Sequence, residues 1–443
     1  MTSYEQFFKD KRVTVMGLGL LGRGVGDVAF LAQQGAKVLV TDKKTTAELE
    51  ESVERLKKYP NVSFVLGGHR ESDFIDTDMV IKAAGVRLDS PEIVAARAAH
   101  VPVYMSTALF AKFAAGIGAK IVGVTGTRGK SSVSYMIHHA LIEAGRKSYL
   151  GGNIRGVSTL AMLPEIKNED VVVLELDSWQ LQGFGDLSIS PHVSVFTNLM
   201  MDHLNYYPDT DTYFSDKANI FKYQKEGDCF VVGTQVAQRI HGVRPPVTPI
   251  TPVPLREDWQ LKILGEHNRE NAALAACALH ALGLSETEVR EGLESFAGVE
   301  GRLQFVREVN GVKIYNDNNA TTPEATIAAL QALDTGEKNI ILIMGGADKG
   351  LDMSELVDEV NKSCKAVVFL AGTGTESFLK AESLKLKATH SGPFDSLDQT
   401  LRQALKLAKQ GDTVLFSPAF ASFGMFKNEY DRNDQFLRVV DAL

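Results

Sequence analysis

The chain has 443 residues, 44% hydrophobic and 23% charged, a balance that excludes disordered and fibrous classes. Its net charge of −8 speaks against nucleic acid or an anionic membrane surface as the main partner, and its length calls for about three domains rather than one core. Three widely spaced cysteines, Cys229, Cys277 and Cys364, make no metal-ligand spacing, and neither a basic leader nor a long apolar run is seen, so a reduced, cytoplasmic chain without a membrane anchor is expected.

Strand and helix patterns alternate along the chain, which predicts an α/β protein with parallel, doubly wound sheets. The first segment opens with the strand Val13-Thr14-Val15-Met16, a helix to about Gln34 and the strand Lys37-Val38-Leu39-Val40. Its first turn reads Gly17-Leu18-Gly19-Leu20-Leu21-Gly22, and Asp42 follows twenty residues beyond Gly22. This is the pattern of a dinucleotide or nucleotide-diphosphate site, with glycines that let backbone approach the phosphates and an acid placed for a ribose hydroxyl. A turn that serves packing alone is the alternative reading, and the pattern does not say which nucleotide.

A second series begins with Lys120-Ile121-Val122-Gly123-Val124 and passes through Gly126-Thr127-Arg128-Gly129-Lys130-Ser131-Ser132 into a helical stretch, Val133 to Ala144. Strand, glycine loop and helix in that order aim backbone N–H groups and a positive helix end at one point, where polyphosphate oxygens would sit. Lys130 would reach the terminal phosphates, and Ser131 would offer its hydroxyl to Mg2+. The loop is a shortened variant, because Val124 stands where the full pattern has its first glycine.

Strands follow at Val171 to Leu176 and at His192 to Asn198, the latter running into Asp202-His203. Glu175 ends an otherwise apolar strand, where an unpaired carboxylate is costly to bury, so a metal or cationic partner is implied. His203 could bind metal, orient phosphate or be solvated, and Lys217 reads from periodicity as an ordinary helix lysine. The polar stretch Arg244 to Pro254 reads as a surface excursion, and helices from about Asn268 to Leu282 and Glu286 to Phe296 close the segment. Asn268 and Asn271 share a helix face, where amides suit a base edge or a phosphate oxygen, although Asn268 could simply cap the helix.

The third segment has strands at Gly311 to Asn316, Asn339 to Met344, Ala366 to Leu370 and Thr413 to Pro418, again alternating with helices. Arg302 and Asp317 lie near an expected domain junction.

These motifs together resemble the Mur ligases, ATP-dependent enzymes that add amino acids to the peptidoglycan precursor, and most closely the branch that adds D-glutamate to UDP-N-acetylmuramoyl-L-alanine. The resemblance is carried by Gly126 to Ser132, Gly151-Gly152-Asn153-Ile154, Leu174-Glu175 with Gln180, Asp202-His203, Lys217, and His267-Asn268 with Asn271. It continues with Arg302, Asn316-Asp317 with Ala320-Thr321, Gly345-Gly346 with Lys349-Gly350, and Ser417 to Ser422 followed by Phe426-Lys427-Asn428. It implies a UDP-sugar domain over residues 1–114, a central ATP-binding domain over 115–300 and a Rossmann-like amino-acid domain over 301–443. A cytoplasmic, monomeric ligase that uses ATP and Mg2+ is the implied activity.

The same resemblance replaces the NAD reading of the first glycine turn and places the UDP substrate on Gly19, Leu20, Leu21, Thr41, Asp42, Lys43, Asn153 and His203. It assigns ATP to Gly126, Thr127, Arg128, Gly129, Lys130, Ser131, Ser132, Asn268, Asn271, Arg302 and Asp317. Metal would be held by Ser131, Glu175, His203 and Lys217, with Lys217 as a carbamate, and the catalytic set would be Lys130, Glu175, His203 and Lys217. Thr321, Lys349 and Ser422 would receive the amino acid's carboxylates. The chain departs from the family pattern at Arg128, Asp177, Met200-Met201, Asn319 and Glu429. A lost lysine and two gained acids bear on the preference for an anionic amino acid. A related Mur-type ligase that adds a different amino acid such as L-glutamate, a folylpolyglutamate synthetase-like activity, an NAD-dependent dehydrogenase and a nucleotide-binding protein with altered catalysis stand as alternatives.

Overall fold

The computed structural model describes residues 3–19, 22–200, 206–240, 245–382 and 385–443. The first sheet contains β1 (Arg12–Met16), β2 (Lys37–Asp42), β3 (Val62–Leu66), β4 (Met79–Lys82) and β5 (Val103–Tyr104). Its order is β3-β2-β1-β4-β5 with every pair parallel. Four of β1's five residues are buried, as a strand covered by helices on both faces requires. The strand order reverses between β1 and β4, which makes their carboxyl ends the crevice of this sheet.

The second sheet contains β6 (Lys120–Thr125), β7 (Ser148–Gly152), β8 (Val171–Glu175), β9 (Val193–Phe196), β10 (Cys229–Val232) and the two-residue β11 (Pro249–Ile250). Its order is β11-β10-β9-β6-β8-β7, again wholly parallel. β6 is therefore central, with Val124 beside Glu175 on one side and Thr125 beside Phe196 on the other. That register brings the glycine loop, Glu175 and the residues after Phe196 to one sheet edge.

Residues 1–256 and 271–293 form one compact unit containing both sheets. One apolar core runs through it, including Phe8, Phe30, Phe110, Phe184, Phe196 and Phe230. Burying each such ring stabilises the unit by roughly 2–3 kcal/mol. The helix Ser106–Ile117, which contains the boundary expected near residue 115, contributes Leu109, Phe110 and Phe113 to that core and ends at Gly118 with φ 104. Arg244, where the expected surface excursion begins, lies outside the described residues; beyond it the chain forms β11 and leaves Val253 79% exposed.

Residues 257–270 and 294–443 form a second compact unit. Its sheet contains β12 (Gln304–Val309), β13 (Val312–Asn316), β14 (Ile340–Met344), β15 (Cys364–Leu370), β16 (Thr389–Phe394) and β17 (Thr413–Phe416), in the order β12-β13-β17-β14-β15-β16. Period-two alternation sends Ile340, Leu342 and Met344 to one core and Ile341 and Ile343 to another, so both faces are covered. The sheet is parallel except at one edge, where β12 and β13 form an antiparallel hairpin. This corrects the expectation of strand–helix alternation throughout. Asn310 and Gly311, both with positive φ, make the turn, and the Asn-Gly pair is the local signal that predicts such a hairpin.

Candidate active site

The loop between β6 and the helix Lys130–Glu143 is fixed by the end of β9. The Thr127 amide donates to the Asn198 carbonyl at 2.9 Å, and the Arg128 amide donates to Asn198 Oδ1 at 2.8 Å. The Thr197 hydroxyl donates to the Arg128 carbonyl at 2.5 Å, while the Met200 amide donates to Thr127 Oγ1 at 2.9 Å. Gly126 has φ 144 and Gly129 φ 82, and a Cβ at the first would overlap the Thr197 hydroxyl, at the second the Asn271 amide. Glycine is needed at both places for conformation and for space. Thr197 and Asn198 entered the sequence reading only as strand residues, yet they hold the loop. The Arg128 side chain is exposed, so that departure from the family pattern leaves the loop's backbone bonds intact.

Lys130 donates from Nζ to the carbonyls of Gly126 at 2.9 Å and Thr127 at 3.1 Å. Lys217, at the end of the helix Thr210–Lys217, reaches the same point: its Nζ is 2.9 Å from the Gly126 carbonyl and 3.3 Å from Thr125 Oγ1. It is 1% exposed and lies 4.7 Å from the centre of the Tyr213 ring. Periodicity reads this residue as an ordinary helix lysine; it does end a helix, but the helix turns its side chain into the β6 loop. Glu175 is buried at the end of β8, and its carbonyl accepts from the Asn153 amide at 2.7 Å. Ser131 is buried in the first turn of the helix, and Ser132 is half-buried beside it. Asp202 and His203 lie outside the described residues.

Asp177 caps the helix Ser178–Asp186 in a reciprocal capping box with Gln180, accepting from the Gln180 amide at 2.7 Å. The Gln180 side chain also donates to Thr107 Oγ1 at 3.1 Å. The acid at position 177 thus does at the helix end what a serine would do there.

At the first sheet's glycine turn, Gly17 and Gly19 have positive φ, and Gly22 caps the helix Arg23–Gln33. Leu20 and Leu21 lie outside the described residues. Asp42 Oδ2 accepts from the amides of Leu18 at 2.9 Å and Gly19 at 3.4 Å, and Oδ1 accepts from the Lys44 amide at 2.9 Å. Sequence reasoning aimed this carboxylate at a ribose hydroxyl; here both its oxygens hold backbone. Thr41 is fully buried against His69 Nδ1 at 2.8 Å, and Lys43 is exposed. A cavity of about 240 Å³ opens beside the turn, bordered by Arg23, Asp27, Lys82, Thr107, Gly152 and Gln180. Arg23 donates to the Asn153 side chain at 3.1 Å, and Ser158 donates to the buried Asp27 at 2.5 Å. Burial lifts the Asp27 carboxyl to about 6, with the Ser158 hydroxyl opposing the shift. None of Arg23, Asp27 and Lys82 was singled out from sequence.

Within the second unit, Asp317 is buried, with Oδ1 accepting from the Leu303 amide at 3.0 Å and Oδ2 from the Ser417 hydroxyl at 2.9 Å. Burial pushes its carboxyl up to about 7, against those hydrogen bonds and the charge of the exposed Arg302. The Asn268 amide donates to the Leu264 carbonyl at 2.7 Å, and Asn268 lies one turn before Asn271 on the helix Glu266–Ala281. The structure brings Thr321 and Lys349 together, Nζ to Oγ1 at 3.0 Å. Ser422 is buried next to Ala421, which pairs with Ala347 through two backbone bonds of 2.9 and 3.2 Å.

Arg432, fully buried, braces these loops. It donates from Nε to Asn318 Oδ1 at 2.8 Å, from Nη2 to the Asn318 carbonyl at 2.8 Å and from Nη1 to the Phe420 carbonyl at 3.2 Å. Burial lowers its guanidinium to about 10, and the charge of Glu429 opposes that shift. Asn319 accepts from the side chain of Asn318, the residue that Arg432 holds, at 3.2 Å, so the departing position 319 meets this cation through Asn318 and position 429 through its charge.

A glycine loop gripped by β9, two lysines on its carbonyl, a buried carboxylate at the neighbouring strand end and a helix amide beside Gly129 make a site suited to phosphoryl transfer. Residues 11–105 match the Mur ligase MurD-like N-terminal domain, 124–242 the Mur ligase middle domain, and 301–420 the Mur ligase glutamate ligase domain. The chain is 35% identical to a UDP-N-acetylmuramoylalanine--D-glutamate ligase of Roseiflexus sp. (strain RS-1), with 98% of each covered. It is 34% identical to the protein of that name from Clostridium kluyveri, over 99% of this chain and 98% of the relative. Solved structures of similar fold include UDP-N-acetylmuramate-alanine ligase MurC from Thermotoga maritima (TM-score 0.61, 20% identity, 98% and 99% covered). Another is the MurF ligase of the same organism in complex with ADP (TM-score 0.59, 18% identity, 100% and 96% covered). Matches in all three parts of the chain, and full-length relatives at this identity, place it in the Mur ligase family.

Proposed function

We propose that the chain is the ATP-dependent ligase that adds D-glutamate to UDP-N-acetylmuramoyl-L-alanine in peptidoglycan precursor synthesis. The observation that carries the reading is the convergence of the Lys130 and Lys217 side chains on the Gly126 carbonyl at the end of β6. The names of the full-length relatives support the same substrate pair.

A carboxylate is a poor electrophile, so the acceptor's terminal carboxylate oxygen first attacks the γ-phosphorus of ATP and the bond to ADP breaks. The amine of D-glutamate then attacks the acyl carbon of this acyl phosphate, inorganic phosphate leaves, and the nitrogen loses a proton. Lys130 neutralises the phosphates in both states, and the β9-gripped loop holds its amides in place without reorganisation. Asn268, Asn271, Arg302 and Asp317 take the rest of ATP in this reading, and Thr321, Lys349 and Ser422 take the amino acid. Gly19, Leu20, Leu21, Thr41, Asp42, Lys43 and Asn153 take the UDP-sugar.

The donor set fits Mg2+. A serine hydroxyl and a buried carboxylate are hard oxygens, and among the described residues no group of three or more His, Cys, Asp or Glu forms a metal cage. That suits an ion that keeps most of its shell for phosphates and water. We assign Ser131 and Glu175 to one Mg2+, and His203 and Lys217, as its carbamate, to a second. Bound there, Mg2+ supplies charge neutralisation between the phosphates. The enzyme in this reading is a cytoplasmic monomer.

The test is ADP release with UDP-N-acetylmuramoyl-L-alanine against a panel of L- and D-amino acids. D-glutamate is expected to give the highest rate. Release triggered by no amino acid, or only by a different one, would overturn the assignment.

A further inference from the structure

Lys82 ends β4 and pairs in register with Met16, the residue before the glycine turn, so it stands at the strand-order reversal of the first sheet. It is 2% exposed. Its Nζ donates to the carbonyls of Val86 at 2.8 Å and Ala84 at 3.4 Å, which accounts for two of an ammonium's three protons. Buried cations of this kind are usually matched by an anion. Burial lowers this one to about 8, with Asp186 and Asp177 opposing the shift.

Arg23 stands immediately after the turn and also borders the cavity, its Nη1 reaching the Gly152 carbonyl at 3.4 Å and Asn153 Oδ1 at 3.1 Å. The amides of Leu18 and Gly19 already hold the Asp42 carboxylate, so a phosphate brought there meets engaged N–H groups and a fixed negative charge. Asp27, on the same cavity, adds a second carboxyl. Side-chain cations on this cavity offset the charge of those two acids toward an incoming anion.

We propose that Lys82 and Arg23 are the paired cationic ligands of the acceptor's diphosphate, Lys82 from the buried end of β4 and Arg23 from the helix that follows the turn. This rests on the acceptor assigned under Proposed function and adds the residues that match its charge. It also gives Arg23 a second task, because the guanidinium that meets the diphosphate holds the side chain of Asn153.

The test is calorimetric titration of the full chain with UDP and, separately, with uridine. The unaltered protein is expected to bind UDP. Lys82→Met and Arg23→Met should each weaken it by roughly tenfold or more, with Lys82→Arg and Arg23→Lys recovering part of the loss. Uridine binding and the KM for ATP should stay unchanged, which a general loss of structure would not allow, and the half-buried Arg23 serves if Lys82→Met does not fold. Variants that bind UDP as tightly as the unaltered protein would overturn the inference alone. An unaltered protein that binds no UDP would overturn the acceptor assignment, and the clamp with it.

Discussion

The ammonium groups of Lys130 and Lys217 donate to one oxygen, the Gly126 carbonyl, each over 2.9 Å. In the proposed reading Lys217 gives its nitrogen to a carbamate, so Lys130 is the lysine that offers its charge to a polyphosphate beside the loop. Lys130→Met is expected to cut acceptor-dependent ADP release by roughly a hundredfold or more. Far-ultraviolet circular dichroism should keep its unaltered shape. Normal turnover in this variant would remove the loop from the chemistry.

Asp317 gives a pH signature. Its folded value of about 7 lies above its ordinary 3.8, so the folded chain binds more protons than the unfolded chain between those limits. The stability from this group is complete below about pH 4 and is lost as the pH rises through 7. Asp317→Asn cannot ionise, so it should gain on the unaltered protein by on the order of 2 kcal/mol between pH 5 and pH 8. Urea titrations at the two pH values measure this, and an unchanged difference would count against a buried, strained carboxyl.

Gly129 combines φ 82 with a Cβ position taken by Asn271. Gly129→Ala should therefore lose about 1–2 kcal/mol of stability and raise the KM for ATP. Adding Asn271→Ala removes the overlap but not the backbone strain, so thermal melts of the double variant should show only partial recovery. Full recovery would mean that conformation is not the constraint.

Lys349 and Thr321 meet at 3.0 Å on loops that follow different strands. Lys349→Ala should raise the KM for the amino acid about tenfold and leave that for ATP unaltered, because only the first ligand loses a charged partner. Equal changes in both constants would argue for a loop defect instead.

The capping box predicts that Asp177→Ala costs about 1 kcal/mol in chemical denaturation whereas Asp177→Ser is nearly neutral. If the serine variant were as unstable as the alanine one, the acid would have some task beyond the helix end.

Much of this architecture could be read locally. β1, β6 and β14 are short apolar runs closed by glycines, and the loop 126–129 needs only its neighbours in sequence to declare itself. The β12–β13 hairpin is equally local in Asn310-Gly311, but the strand–helix alternation on either side masks that signal. Other features were hidden because partners far along the chain decide them. Lys217 has the spacing of an ordinary helix lysine until the Thr125 hydroxyl and the Gly126 carbonyl are placed beneath it. Asp42 looks free for a ribose until the turn's amides take it, and Lys82 ends a strand that periodicity did not mark. Arg432 reads as one charge in a polar helix, since Asn318 and Phe420 reach it only through tertiary structure.

That single guanidinium latches the stretch carrying Thr321 to the stretch carrying Ser422. Neither can open to solvent without releasing and hydrating the same buried ion, so their amide protons should exchange with deuterium as one kinetic group rather than as two. The second unit is thereby built to respond in a single step.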